Sequence, residues 1–309
     1  MINVATKNCL SPNKLSRFVA VSMLVILVLS LCGCGNDKAE QNENNESAIE
    51  ESLENEETNV TKTLDDYSWE ELSVISEEIA ATQSEDEAIE VAKSYNLVAS
   101  DGKLDGAQTK SVELSNGTIV EVQIAGFRHD DKTSGGKAGI TFIFKDIIAE
   151  HPMNSTNTNE GGWKNSQMRA WLASAGMDML PSDLSSRIVE VDKMSNNVGA
   201  SKSKISATST PDKLWLFSTT ELCGKASSHS TSQDYVQITE GNEYKLFRDQ
   251  DVNSTATNLI LYRESYWWVR SADPIQSHGF MYVTSFGQPD QDYNNYASIT
   301  YSVVPGFCI

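Results

Sequence analysis

The spacing of apolar residues changes along this chain near Ser111, and that change limits what it can fold into. Before it, Trp69, Leu72, Ile75 and Ile79 recur every three or four places, as do Ala88, Val91, Ala92 and Tyr95. That is the spacing of a helix face. Ser68 and Ser84 each have a glutamate three places on, Glu71 and Glu87. The pattern is a capping box, in which the serine oxygen accepts an orphan backbone N–H and the glutamate accepts one from the cap. After Ser111 the period is two: Val112 and Leu114 lead through Ser115-Asn116-Gly117 into Val120, Val122 and Ile124. Asn-Gly between alternating runs is the strongest short hairpin signal. Further strands are expected at Ile140 to Lys145, Leu214 to Phe217, Tyr266 to Ser271, Gly279 to Thr284 and Ala297 to Pro305, with a helical stretch at Trp163 to Leu172. Ser218 to Glu264 reads as long polar surface loops with a short helix near Glu243 to Arg248. The expected fold class is α+β, with two amphipathic helices over 67–100 and one domain over 101–309 that is long enough to bury a core.

The N-terminus has another character. Residues 1–17 contain Lys7, Lys14 and Arg17 and no acid, and an apolar run follows from Phe18 to Leu31. This is a signal-peptide layout, short of the roughly 20 residues that a membrane-crossing helix needs. The run ends in Leu31-Cys32-Gly33-Cys34, which resembles the lipobox of bacterial lipoproteins. The resemblance implies that residues 1–33 are removed and that Cys34 carries lipid such as palmitate, holding the chain at the outer face of the cell membrane. Cleavage before Cys32 would instead put bulky Leu31 at the cut. An uncleaved anchor helix is the alternative, and it too places the rest outside.

Residues 34–66 follow as an acidic tether of Asn, Glu and Ser, too poor in large apolar residues to fold, with a flexible-chain reach of roughly 30 Å. Residues 35–100 carry 19 acids against 3 bases, whereas 101–309 carry 24 against 18. A chain of net charge −19 has no electrostatic footprint for nucleic acid, nor for an anionic lipid surface beyond an acyl anchor.

Candidate chemistry is sparse. His129, His151, His229 and His278 fall in no metal-ligand spacing, and no nucleophile–base pair is visible. Cys223 and Cys308 remain in the folded part, where an oxidising compartment permits one bridge; two buried thiols are the alternative. Trp267 and Trp268 are adjacent on a strand, so their rings point to opposite faces. One is core; the other is either a binding platform or packed beneath a loop. Arg270 is either a buried guanidinium fixed to a carboxylate or a ligand anchor. Tyr282, Tyr293, Asn294, Asn295 and Tyr296 have the composition of a recognition loop. Gln288-Pro289-Asp290 matches the calcium tripeptide of galactose-type lectins but lacks the later Trp-Asn-Asp, and a plain turn after Gly287 accounts for it. No cofactor is otherwise evident.

Taken together, Gly126-Phe127, His129-Asp130-Asp131, Lys137 to Phe142, Gly161-Gly162-Trp163, Met168-Arg169, Trp171-Leu172, Lys213-Leu214-Trp215, Tyr266 to Ser271, and Val303, Pro305, Phe307 and Ile309 resemble a domain of unknown function common in exported proteins of Firmicutes and Actinobacteria. That domain is similar to the C-type-lectin-like and formylglycine-generating-enzyme-like fold. The resemblance implies short twisted antiparallel strands with long loops on one side. Where that pattern ends in Gly-Val-Arg-Pro, this chain has Ser302-Val303-Val304-Pro305. The copper-binding cysteine pair of those enzymes has no counterpart here.

The expectation is a lipid-anchored extracytoplasmic binding module without catalysis, taking a carbohydrate, cell-wall fragment or protein through the loops around 284–297 and 225–240. Its candidate ligand-binding residues are Trp267, Trp268, Arg270, Tyr282, Tyr293 and Asn294. The alternatives are a surface structural or regulatory protein acting through its acidic helices, or an extracellular enzyme in which Asp130, Asp131 or Glu264 converge on a pocket.

Overall fold

A computed structural model describes residues 62–200, 207–225 and 238–309. The signal segment, Cys34, most of the tether and most of the 225–240 loop lie outside the described residues. Folded structure begins earlier than the tether's expected end, because Leu64–Asp66 form a 3-10 turn with Leu64 buried.

The two helices form where their caps predict. Helix α1 is Trp69–Ala81 and α2 is Glu85–Ser94. At α1 the capping box is complete: Ser68 Oγ accepts from Glu71 N–H at 3.1 Å and Glu71 accepts from Ser68 N–H at 2.8 Å. At α2 it is half made. Ser84 Oγ caps Glu87 N–H, but the Glu87 carboxylate reaches one residue further back, to Gln83 N–H at 2.8 Å.

Strands β1 (Lys110–Glu113) and β2 (Ile119–Phe127) make the predicted hairpin. Gly117 sits at φ +82° in its turn, a conformation that glycine adopts without a Cβ clash. Strand β3 (Ile140–Phe144) pairs with β2, and β4 (Ala149–Pro152) follows. The helical stretch splits at Ser166, which caps α4 (Gln167–Trp171) after α3 (Gly162–Asn165), and a π turn at Leu172–Gly176 continues it. Next come α5 (Ser182–Ser185), β5 (Val191–Asn196), β6 (Ala207–Asp212) and β7 (Trp215–Leu216). The segment expected as surface loops instead holds α6 (Thr219–Cys223), α7 (Lys245–Asp249) and a 3-10 turn at Leu259–Leu261. Leu246, Phe247 and Leu261 from it are core.

Strand β8 is Trp267–Ala272 and β9 is Phe280–Val283. The last expected strand divides into β10 (Thr300–Val303) and β11 (Pro305–Cys308). The two halves join different sheets: β10 pairs with β4 and β8, and β11 with β3 and β7. Pro305 has no N–H to continue the first ladder, so the chain crosses from one sheet to the other at Val304.

The fold is mixed α+β. Among the described residues it has a five-stranded sheet in the order β1-β2-β3-β11-β7, a four-stranded sheet β4-β10-β8-β9, and the pair β5-β6. One face of the larger sheet presents Ile124, Phe142 and Phe307, which share a face through direct pairing. Helix α1 covers that face, with the Trp69 ring edge-on to Phe142 at 5.5 Å and to Phe307 at 6.0 Å. Helices α1 and α2 belong to the same compact unit as the described residues that follow them.

Candidate functional site

Strand β8 lies inside the four-stranded sheet, between β10 and β9, and every one of its residues is buried. This corrects the expectation of an exposed platform. Trp267 and Trp268 are both fully buried, with Trp267 Nε1–H donating to Leu261 O at 3.2 Å and Trp268 Nε1–H to His151 O at 3.1 Å. Arg270 is not a ligand anchor either; it is the guanidinium fixed to a carboxylate. It makes a bidentate pair with Glu221, with Nη2 at 2.8 Å from Oε1 and Nη1 on Oε2. Its remaining donors go to Ser195 Oγ, Leu216 O and Met194 O at 2.8, 2.8 and 2.9 Å.

Glu221 is shared. Its Oε1 also lies 2.7 Å from Lys193 Nζ, which reaches Asp130 Oδ1 at 2.6 Å and the Tyr244 hydroxyl at 2.8 Å. Asp130 in turn accepts from Thr141 at 2.7 Å and contacts Cys308 Sγ at 3.4 Å. Burial alone would raise both carboxyls, but Lys193 and His129 hold Asp130 well below the usual carboxylate range, and Arg270 and Lys193 lower Glu221. Burial raises the nearby Glu240 despite Arg270. Lys193 and Arg270 face the carboxylates of Asp130 and Glu221. Strands β3, β5, β8 and β11 and helix α6 are thus clamped together by one closed ionic network, with no face open to a ligand. Nor do the three acids weighed for catalysis converge. Asp130 is in the network, adjacent Asp131 is exposed and paired with Lys137 at 2.8 Å, and Glu264 lines a separate cleft.

Cys223 and Cys308 are free thiols, not the possible bridge; Cys308 is buried and Cys223 partly so. Each has a different partner: Cys223 Sγ–H donates to Thr219 O at 3.2 Å within α6, and Cys308 on β11 lies against Thr141 of β3 at 3.2 Å. Burial pushes the Cys223 thiol up to about 12 and Cys308 well above its usual value.

What faces outward is a column of aromatic rings. Trp268 forms its base; Tyr301 lies on it at 4.6 Å and Tyr282 edge-on at 6.4 Å. Tyr266 rests on both tyrosines, at 5.5 Å from each, and is itself exposed. Tyr282 is buried as a support in this column, which corrects its expected place at the binding surface. The two supporting hydroxyls hold the tip of the last long loop, Tyr282 donating to Tyr293 O and Tyr301 to Asn294 O at 3.0 Å. Tyr293 is thereby left 77% exposed, and Asn294 is exposed at φ +59°. Phe286 and Tyr296 are exposed nearby in sequence, with Tyr296 stacked on His278.

Two other segments lace this loop in place. Asn258 Nδ2–H donates to Gly287 O at 2.9 Å; a Cβ on Gly287 would sit 2.2 Å from Asn258 O, so only glycine fits that approach. Gln288 Nε2–H reaches Thr255 O at 3.4 Å, and Asp290 pairs with Lys225 at 3.4 Å. In this arrangement Gln288-Pro289-Asp290 tie the loop down. Among the described residues no group of three or more His, Cys, Asp or Glu side chains could hold a metal ion, and no helix is long and apolar enough to cross a membrane. Sequence reasoning missed Tyr266 and Tyr301 as partners in the column. Their signal was available, since Tyr301 lies on β10 and Tyr266, just before β8, stands two residues from Trp268.

The fold and site define an α+β domain with a closed ionic core and an aromatic loop face. Residues 138–309, more than half of the chain, match a domain of unknown function, DUF6273, and the chain belongs to that family. The match begins after β2 and Asp130, although both are built into the same sheet and network. No curated protein and no solved structure matches the chain.

Proposed function

We propose that this chain is a lipid-anchored, extracytoplasmic binding module without catalytic activity, whose DUF6273 region takes a C-type-lectin-like fold. The observation that carries the reading is the aromatic column: rings from Trp268 outward end in exposed Tyr266 and hold the exposed loop tip of Tyr293 and Asn294. Aromatic side chains give large contact area at low entropic cost, and a face held by hydrogen bonds from beneath binds without first being ordered. The short antiparallel strands and the long laced loops at 253–266 and 284–296 support the fold assignment. The Leu31-Cys32-Gly33-Cys34 pattern and the acidic segment after it support a lipid anchor with the domain held off the membrane. The ligand is a carbohydrate, a cell-wall fragment or a protein on the outer surface.

The test is a glycan and cell-wall-fragment array probed with the full chain in detergent, with and without calcium, followed by capture of surface proteins. Specific binding that weakens in Tyr293→Ala supports the loop face, and dependence on calcium would assign an ion to the Gln288-Pro289-Asp290 turn. Silence in both the arrays and the capture overturns the reading.

A further inference from the structure

An open cleft of about 740 Å³ lies between the Asp105-Gly106 turn, β2, the corner at Lys145–Ile147 and the segment Leu259–Glu264. Its size is within the roughly 300–1,000 Å³ of small-molecule sites. Two of its lining side chains are buried with polar atoms unmatched. Gln123 is 1% exposed, and neither Oε1 nor Nε2 has a hydrogen-bond partner. Arg263 is 7% exposed; it donates to Ile260 O, Tyr262 O and Phe144 O, but its Nε–H has no acceptor, and it forms no ion pair with a carboxylate among the described residues. Burial draws its pKa down to about 10. Orphaned buried groups are costly, and Arg270 and Lys193 in the same fold are matched throughout.

The unmatched set is two donors and one acceptor, and the charges around it nearly cancel. Asp105, Asp146 and Glu264 face Lys145 and Arg263. Lys145 is already paired with Glu121 at 2.8 Å, and Asp146 accepts from Glu121 N–H at 2.7 Å. The lining carboxylates repel an anion and the Arg263 guanidinium repels a cation, whereas a hydroxyl group both donates and accepts. The half-exposed Tyr262 ring lines the same cleft and offers a flat surface to the C–H face of a ring. We propose that this cleft binds a neutral saccharide unit, with Gln123 and Arg263 as the residues that recognise its hydroxyls.

This rests on the binding-module reading but places the sugar in a cleft apart from the Tyr293 loop face. The experiment is saturation-transfer NMR of the full chain with two probes, cellobiose and the N-acetylglucosamine disaccharide. The expected result is a signal from at least one probe that Gln123→Leu and Arg263→Lys each weaken at least about tenfold, the scale of one lost hydrogen bond, while Tyr293→Ala keeps it. Gln123→Leu removes the orphaned atoms within a similar volume, so an undiminished melting temperature shows that its effect is on binding. Loss in Tyr293→Ala but not in Gln123→Leu overturns the cleft site and leaves the loop face standing. Absence of any signal from the wild-type chain also overturns the cleft proposal, while the module reading, which admits protein ligands, is judged by its own array and capture test.

Discussion

Arg270 and Lys193 hold two full charges in the interior, where each depends on its carboxylate. Removing one partner of such a pair typically costs about 3–5 kcal/mol, because the other charge is left buried and alone. Arg270→Met should lose about that much in urea unfolding. The double variant Arg270→Met/Glu221→Leu, which leaves Lys193 facing Asp130, should recover part of it. The same groups set the pH response. Asp130 and Glu221 are lowered from ordinary values of 3.8 and 4.5, so the stability they supply is complete above those values and is lost as pH falls through their lower folded ones. Glu240 is raised and has the opposite sign: burying its carboxylate costs stability above the ordinary value of 4.5, and that cost disappears below it. Glu240→Gln should therefore raise the urea midpoint at neutral pH, and the gain should vanish under acid conditions where the carboxyl is protonated in both states. Of this network the sequence displayed only the His129-Asp130-Asp131 cluster and the alternative of a buried Arg270. Lys193 and Glu221 sit in segments whose pattern was polar, and nothing local distinguishes a buried lysine from a solvated one.

Among the elements, α1 carries the most weight outside the sheets. Its Trp69 ring closes over Phe142 and Phe307, and Trp69→Ala should cost about 3–5 kcal/mol. The helix also approaches β3 at Gly139, where a Cβ would come within 1.8 Å of the Ser76 carbonyl oxygen. The collision is with backbone, which cannot swing aside, so Gly139→Ala should destabilise by about 3 kcal/mol or more; thermal melting of both variants checks these values. The hairpin β1-β2 and helix α1 were legible because cap, turn and apolar period agreed. The pair β5-β6 was not. The inward positions of β5 include Lys193 and Ser195, so its alternation is real in space but invisible in hydropathy. Helix α6 did carry a signal: Ser218 and Glu221 form a full capping box inside a stretch whose Ser and Thr content read as loop.

For the whole molecule, the packing of α1 over the five-stranded sheet means that residues 101–309 are not self-sufficient. A chain starting at residue 101 should bind hydrophobic dye and lose cooperative unfolding, because Phe142 and Phe307 would face water. The proposed lipid anchor is tested separately. Cys34→Ser should release the full chain from the membrane fraction, with loss of the acyl mass on the mature protein in the wild-type comparison.

By itself the sequence determined the capped helices α1 and α2, the β1-β2 hairpin and the class α+β, because caps, turns and the two hydrophobic periods act over a few residues and are read where they stand. It also marked Tyr293 and Asn294 as members of a loop of recognition-like composition, and Trp267, Trp268 and Arg270 as residues of consequence. Only the tertiary structure decided which face of that chemistry meets solvent. Strand β8 became an inner strand when β10 and β9 paired on either side of it, and Pro305 sent the last residues into a second sheet. Those pairings join residues distant in sequence, where no spacing rule reaches, and they turned Trp268 into a support and Arg270 into a clamp.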